Sequence, residues 1–190
     1  MEEQVKALTG KNIALLVANG FEEAEMTSLQ KALIVAGAKV AIVSPEKGIV
    51  NSWHDGTWGH FFPVNAFLPE AMSHHFDGVV VPGGSRHVER LSNNPQTTRF
   101  LNGFMLDDKP VALHDAAALV ANGGLADGRT VAATEDVSGA LIREGAKVAD
   151  EPVHVDGRLL SAFGEETMGQ FVSELLSLLE GEAAKLGEAA

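Results

Sequence analysis

Short, continuous apolar runs recur along this chain, and none is long enough to form a helix of its own. Residues 12–18 read NIALLVA, residues 39–44 read KVAIVS, and residues 78–81 read GVVV. Runs of this length and composition are typical of strands buried on both faces, as in a parallel sheet. The chain is therefore expected to fold around a sheet that is covered on both sides.

The segment between the first two runs has the periodicity of a helix. Leu29, Ala32, Leu33 and Ala36 recur at spacings of three and four residues, and Gly37 stands where a glycine commonly ends a helix. The first part of the chain thus predicts a strand, a helix and a second, parallel strand. A right-handed crossover is expected, since connections of this kind almost always have that hand.

The remaining chain continues this alternation. We predict a small antiparallel excursion over 46–69 and a hairpin over 152–162 with Asp156-Gly157 at its turn. Further strands are predicted over 110–113 and within 128–133. Helices are predicted over 95–106, 115–122 and 137–147, and an amphipathic helix over 166–179. Strands that alternate with helices predict an α/β protein with a mostly parallel sheet and helices on both faces.

The chain is expected to form one domain over residues 1–190. Its length suits a single α/β domain, and it contains no internal repeat and no linker. The core is expected over 11–180. The tail, 181–190, is rich in Ala, Glu and Gly and is expected to be disordered.

The composition excludes several classes of protein. A net charge of −12 argues against nucleic acid and anionic membranes as partners, because both need clustered Lys and Arg. The lack of cysteine excludes disulfides, thiolate catalysis and cysteine-ligated zinc. The acidic start, Met1–Gln4, does not resemble a secretory signal, and no apolar run reaches the ~20 residues of a membrane-spanning helix. A cytoplasmic protein is expected.

Candidate functional residues follow three of the predicted strands. Ligands of open α/β sheets bind beyond the carboxyl ends of the strands. The segments at these ends are Gly20–Glu25, Gly83-Gly84-Ser85 and His114-Asp115.

Each of these segments has a structural and a functional interpretation. Glu25 either stabilises the start of a helix through the macrodipole or points inward as a carboxylate. Gly83 and Gly84 either form a tight turn or bring backbone N–H groups close to an anionic ligand. Ser85 lacks the GxSxG context of a nucleophile.

His114 and Asp115 lie where a strand is followed by a predicted helix. A neutral imidazole is preferred at a helix N-terminus, and Asp115 is a natural residue to begin a helix. Sequence neighbours need not face each other, so a hydrolase triad does not follow from their adjacency. The other histidines show no standard metal-ligand spacing.

Several motifs, in order, resemble the PfpI-type intracellular protease family. They read GFEEAE, FDGVVVPGG, NNPQTTRFLNGFMLDDKPVAL, GGLADGRTVAA and EPVHVDGRLLSA, and the similarity runs from about Lys11 to Leu179. That family belongs to the class I glutamine amidotransferase-like superfamily and includes the parkinsonism-associated deglycase. The chain is also similar to the C-terminal domain of large-subunit catalases, which keeps the fold without the hydrolase site.

The resemblance implies a flavodoxin-like three-layer sandwich and specific site residues. Active members place a cysteine nucleophile on a strained bend between a strand and a helix, and this position falls on His114. The glutamate that hydrogen-bonds the cysteine falls on Glu25, and the backbone donors for an oxyanion fall on Gly84 and Asp115. An acidic residue that some members lend from a neighbouring subunit falls near Glu89. The family's protease, deglycase and glyoxalase activities all use the missing thiolate.

Three hypotheses follow from this loss of cysteine. The leading one is a non-proteolytic, stress-related pseudoenzyme that keeps the pocket between Glu25, Gly84 and His114 for a small molecule or anion, or keeps only a structural role. The second is an active hydrolase or lyase in which His114 is the general acid or base and Glu25 sets its tautomer and charge. The third is a metal site of His114, Asp115 and either Glu25 or Glu89.

The expected partners are few. The resemblance implies a homodimer or higher homo-oligomer, no cofactor and no resident metal. The aromatic segment Trp53–Phe62 is either part of an interface or the wall of a pocket.

Overall fold

The computed structural model describes residues 6–188, with side chains over 6–181. Its strands are β1 (Asn12–Leu16), β2 (Phe21–Glu22), β3 (Lys39–Ser44), β4 (Ile49–His54), β5 (Thr57–Pro63), β6 (Ala66–Phe67), β7 (Gly78–Val81), β8 (Val111–His114), β9 (Thr130–Val131), β10 (Lys147–Val148), β11 (Val153–Asp156) and β12 (Leu159–Ala162). Its α-helices are α1 (Glu23–Val35), α2 (Ser85–Ser92), α3 (Pro95–Leu106), α4 (Glu135–Arg143) and α5 (Met168–Glu188). Disorder was predicted for the tail, 181–190, but α5 continues to Glu188, and residues 189–190 lie outside the described part of the chain.

The main sheet has seven strands in the order β11-β12-β8-β7-β1-β3-β6. Every neighbouring pair is parallel except β11 and β12, which form the antiparallel hairpin expected around Asp156-Gly157. The α/β class and the mostly parallel sheet are thus confirmed. Because parallel strands share a direction, the ends of β1, β7 and β8 lie side by side at one edge.

Alternate residues of the buried strands contribute to two separate cores. Along β1, Ile13 and Leu15 pack on the side of α1 and α5, whereas Ala14 and Leu16 pack on the side of α2 and α3. A strand buried on both faces must be apolar at every position, which explains its uninterrupted run. The result is the expected three-layer sandwich.

The excursion after β3 is a second, three-stranded sheet in the order β2-β4-β5. β4 and β5 are antiparallel, and the turn between them consists of Asp55 and Gly56, both with positive φ. Asparagine, aspartate and glycine are the residues that tolerate this conformation in tight hairpins. The predicted antiparallel excursion is confirmed, and it places the β4–β5 tip above the edge of the main sheet.

The prediction of a helix over 115–122 is wrong. Asp115 has a φ of +48°, and Gly123 and Gly124 have φ values of +64° and +74°. Residues with positive φ thus stand at both ends of this segment, and between them the chain forms only a 3-10 turn, Ala117–Val120. The sequence analysis also missed α2, whose eight residues are mostly polar.

No helix within residues 6–188 is both long and apolar enough to cross a membrane.

Candidate functional site

Glu25 connects three segments at the carboxyl edge of the main sheet. It lies in the first turn of α1, and its Oε2 accepts a 2.7 Å hydrogen bond from the N–H of Gly83, just after β7. The same oxygen lies 2.9 Å from Nδ1 of His114, the last residue of β8. Of the two interpretations of Glu25, the structure shows the inward-pointing carboxylate.

Gly83 and Gly84 allow this close approach. A Cβ atom on Gly83 would lie 2.8 Å from the Glu25 carboxylate, and one on Gly84 would lie 2.8 Å from the backbone of Gly20. Gly84 also has a φ of +123°, which other residues rarely adopt. Both positions therefore require glycine for structural reasons, whatever else their N–H groups do.

His114 is fully buried, and both of its ring nitrogens have partners. Nε2 lies 3.1 Å from Oγ1 of Thr167, and the ring packs edge-on against Phe171, with 5.1 Å between the ring centroids. The Thr167 hydroxyl donates its own hydrogen to the carbonyl of Gly164, 2.7 Å away. Thr167 must therefore accept from His114, so Nε2 carries a proton.

The surroundings of His114 favour its positive form. Burial lowers the pKa of the imidazole, but the hydrogen bond and charge of Glu25 and the charge of Asp115, whose Oδ2 is 3.5 Å from Nδ1, outweigh it and raise the pKa above its usual value. The neutral ring expected from the sequence rested on a helix beginning at this point. No α-helix begins here, and two carboxylates flank the ring instead.

Asp115, not His114, is the strained residue of the bend. Its φ of +48° places it in the left-handed region, which costs most residues 1–2 kcal/mol and aspartate somewhat less. The resemblance implied His114 for this position, so the prediction is off by one residue. His114 belongs to β8, and its side chain points into the core beside α5.

The carboxylate of Asp115 faces solvent at this bend. Its side chain is 32% exposed, and both carboxylate oxygens accept from the N–H of Gly164 at 3.2 and 3.3 Å. Burial and the neighbouring Glu25 raise its pKa, against the opposing effects of His114 and Gly164. Its backbone N–H donates to the carbonyl of Ala162 at 2.8 Å. The prediction that this N–H binds an oxyanion is therefore wrong.

Two of the predicted ligand-binding residues lie away from the bend. Ser85 is exposed at the start of α2. Glu89 is exposed on the same helix and borders a different surface depression, with Pro45 and Arg90. This chain therefore does not bring Glu89 to its own Glu25.

A cavity of about 580 Å³ opens above Glu25 and Asp115. Its walls come from α1, the β4–β5 tip and the turn before α5, and none of its lining residues in the described part of the chain is Lys or Arg. The lining residues are Glu22, Ala24, Glu25, Ser28, His54, Asp55, Asp115, Glu165 and Met168. Five of the nine are carboxylates, so the cavity attracts cations and repels anions.

The carboxylates of the cavity perturb one another. Burial raises the pKa of Glu22, and the negative charges of Glu25, Asp55 and Glu165 raise it further, whereas His54 lowers it. The sequence analysis identified Glu25 but did not connect His54, Asp55 or Glu165 with it, because these residues come from distant segments of the chain.

Glu23 holds the β4–β5 hairpin over the cavity. It accepts hydrogen bonds from the hydroxyl of Ser52 and from the backbone N–H of His60, and its Oε1 lies 2.7 Å from the His60 ring. These contacts, above all the one from Ser52, lower the pKa of Glu23 to about 2. Glu23 is thus a structural clamp that positions His54 and Asp55.

His87 supports the loop that carries the two glycines. It is fully buried on α2, its Nε2 donates to the carbonyl of Pro82 at 2.7 Å, and its Nδ1 faces the N–H of Ala18 at 3.4 Å. Burial lowers the pKa of His87 to about 4, so it is neutral at physiological pH. The residue links the ends of β1 and β7 and thereby positions Gly83.

Glu25, His114 and Asp115 each offer one ligand atom within 4.8 Å of the others. A mixed oxygen and imidazole set suits several divalent cations. The proton that Nδ1 holds between the two carboxylates would have to leave first, so a metal and the imidazolium compete for one position.

The site cannot perform the thiolate chemistry that the resemblance implied. The chain has no cysteine, and His114 has neither an exposed surface nor an unused nitrogen with which to attack a substrate. Of the three residues at the bend, Glu25 and Asp115 line the cavity, and each presents a carboxylate to it.

Comparisons with known proteins agree with the family resemblance and the fold. The DJ-1/PfpI family model matches residues 11–178. General stress protein 18 of Bacillus subtilis is 30% identical over 173 residues, which cover 90% of this chain and 99% of that protein.

Solved structures give the same result. The structure of a cysteine-to-alanine mutant of a DJ-1 superfamily protein from Salmonella typhimurium has a TM-score of 0.78 and 30% identity, covering 90% of this chain and 91% of that one. A two-domain protein from Anabaena variabilis, with DJ-1/ThiJ/PfpI-like and ferritin-like domains, has a TM-score of 0.80 and 25% identity over 88% of this chain. This chain spans 47% of that protein, about half its length. The resemblance to catalase domains is not tested by these matches and stays a prediction.

Proposed function

Because this chain belongs to the DJ-1/PfpI family and yet contains no cysteine, we propose that it is a non-proteolytic member that binds a small molecule. One observation carries the proposal: the bend exposes the carboxylate of Asp115, while His114 is buried with both nitrogens occupied. A cavity of about 580 Å³ lies within the range of small-molecule sites, roughly 300–1,000 Å³.

The proposed ligand carries a positive charge, such as an ammonium or guanidinium group. Five carboxylates line the cavity, and the pKa of Glu22 is raised first by burial and then by the negative charges of Glu25, Asp55 and Glu165. A cation would relieve the repulsion between these charges. The anion considered from the sequence is disfavoured for the same reason.

A role in the stress response and a cytoplasmic location complete the proposal. The supporting observation is the name of a relative, general stress protein 18 of Bacillus subtilis, which is similar over nearly its whole length.

The first test is catalytic. The purified chain is incubated with methylglyoxal and with a peptide amide, and we expect no turnover above that of His114→Ala. Turnover that is lost in both His114→Ala and Glu25→Gln would overturn the proposal in favour of an active hydrolase or lyase, which the 2.9 Å contact between these side chains would then explain. Activity that appears only with an added divalent metal would favour the metal site.

The second test concerns the ligand. Thermal shifts are compared for an alkylguanidinium, a primary amine and a carboxylate of matched size. We expect the two cations to raise the melting temperature and the carboxylate to leave it unchanged. Glu165→Gln should weaken the effect, whereas Glu144→Gln, an exposed residue outside the cavity, should not. Equal shifts with all three compounds would contradict the proposal.

We also propose a homodimer that forms through the free edge of β5. This strand is the edge of the three-stranded sheet, and its exposed side chains include Trp58 and Phe61, at 49% and 64%. It contains no Asp, Glu, Lys or Arg, so two copies of a chain of net charge −12 meet there without like-charge repulsion. Light scattering should give twice the chain mass, and Phe61→Lys should give the monomer. A monomeric wild type would overturn this assembly.

A further inference from the structure

A small cavity that is open to solvent on one side lies at the amino edge of the main sheet, at the opposite end of β8 from the acidic cavity. It has a volume of about 80 Å³ and is bordered by the segment before β8, the segment before β9 and the β11–β12 turn. Val111 lines it, and four residues later Asp115 lines the other cavity. At ~3.3 Å per residue, roughly 13 Å of strand separates the two.

Positive charge dominates this cavity, although the whole chain is acidic. Lys109, Arg129 and Arg158 line it, against the single carboxylate of Asp108. The side chains of Lys109 and Arg158 are only 20% and 17% exposed. Cations that are this far out of water need counter-charges nearby.

The carboxylates near these cations do not neutralise them. Asp107 lies 3.7 Å from Lys109 and is 49% exposed, and Asp108 lies 3.8 Å from Arg158 and is 79% exposed. Neither distance is that of a hydrogen bond, and exposed carboxylates at such distances contribute little.

Arg129 is the cation of this cavity that the protein itself engages least. It is partly buried, and within residues 6–181 no hydrogen bond or ion pair engages its guanidinium group. Within residues 6–181, the guanidinium of Arg158 makes one hydrogen bond, of 3.3 Å to the carbonyl of Leu178, and its other N–H donors are available to a ligand.

We propose that this cavity binds a single tetrahedral oxyanion, namely phosphate. The planar forks of two arginines match phosphate oxygens, and a lysine adds a third positive donor. A volume of about 80 Å³ is far below the roughly 300 Å³ of organic-ligand pockets, so it holds one anionic group. That group is either inorganic phosphate or the phosphate of a small monoester whose remainder stays in solvent.

The experiment is a calorimetric titration of the full chain at low ionic strength, first with inorganic phosphate and then with glycerol phosphate. We expect saturable binding of one phosphate per chain. Arg129→Gln should weaken it at least tenfold, because it removes a charge-assisted contact without removing any protein hydrogen bond. Binding of both compounds identifies a monoester site, and exclusion of glycerol phosphate identifies a site for the inorganic ion.

Arg143→Gln is the matched control. It makes the same change of charge on the exposed surface of α4 and should bind phosphate as the wild type does. Lys109→Gln gives a second, independent variant, and thermal melting without phosphate verifies that each variant is folded. An absence of saturable binding, or equal binding by wild type and both cavity variants, would overturn the proposal. Glu165→Gln, which should weaken cation binding in the acidic cavity, should leave phosphate binding intact. The two binding proposals can therefore fail independently of each other.

Discussion

Two glutamates in the first turn of α1 each contact a histidine from a different strand, and the two Glu–His pairs differ in how far the histidine is buried. Glu23 reaches His60 on β5, with 2.7 Å between Oε1 and Nδ1. Glu25 reaches His114 on β8, with 2.9 Å between Oε2 and Nδ1. The two glutamates are almost equally exposed, at 15% and 16%, so the carboxylates do not explain the difference.

The burial of the imidazole explains the difference between the two pairs. The His60 side chain is 80% exposed, and water competes with its contact to Glu23. The His114 side chain is 0% exposed and is held by Thr167 as well as Glu25. The pKa of Glu23 is lowered chiefly by the hydrogen bond from Ser52 and only in small part by His60, whereas Glu25 outweighs the effect of burial and raises the pKa of His114. One pair is a clamp on a hairpin, and the other is a buried charge beneath a cavity.

Removing each imidazole should produce the largest difference in stability between the two pairs. His114→Ala should lower the free energy of unfolding by about 3 kcal/mol, because it leaves a void and an uncompensated Glu25. His60→Ala, the matched control, should cost under about 1 kcal/mol, as expected for an exposed pair. Urea unfolding at pH 7 in the Phe61→Lys background, in which β5 has no partner chain, measures both losses, and equal losses would refute the contrast.

Alkaline pH should destabilise the protein through His114. Its pKa is raised in the folded state, so the stabilisation is fully present below the unfolded value of 6.5 and is lost as pH rises through the folded value. Glu25→Gln removes the main favourable partner of the imidazolium and should flatten this decline. Urea midpoints measured upward from pH 6.5 test this, and a wild-type profile unchanged by Glu25→Gln would contradict it.

Acidic pH should act on the other pair. The pKa of Glu23 is lowered to about 2, so the stabilisation is present above its unfolded value of 4.5 and is lost as pH falls towards 2. Because Ser52 makes the dominant contact, Ser52→Ala should raise the pKa of Glu23, and NMR of its side-chain carboxyl carbon measures this. Because burial lowers the pKa of His87 to about 4, His87 also lowers the stability of the protein as pH falls from 6.5 to about 4. Ser52→Ala should leave this contribution of His87 unchanged.

Salt should produce the smallest effect. The cost of His60→Ala should shrink by a few tenths of a kcal/mol between low salt and about 1 M NaCl, because exposed pairs are screened. The cost of His114→Ala should stay constant, because water and ions do not reach the ring. Urea unfolding at both salt concentrations provides the measurement, and a salt-dependent His114 effect would show that the ring is accessible.

The buried strands were predictable because they must be apolar at every position. The bounds of β3, β7 and α3 agree with the sequence predictions residue for residue. The bend after β8 was not predictable to the residue, because only the backbone shows which of His114 and Asp115 takes a positive φ. The short helix α2 was not predicted, because only a few of its residues are apolar and buried and the rest of the segment is polar.

By itself the sequence determined the alternation of strands and helices, the family and the absence of a thiol nucleophile, since these depend on local pattern and residue type. Only the tertiary structure decided which groups are buried and what they meet. Glu25 and Thr167 lie 89 and 53 residues from His114, and no local pattern connects them. A charge state depends on burial and on partners brought from elsewhere in the chain, and so the character of the site depends on the fold.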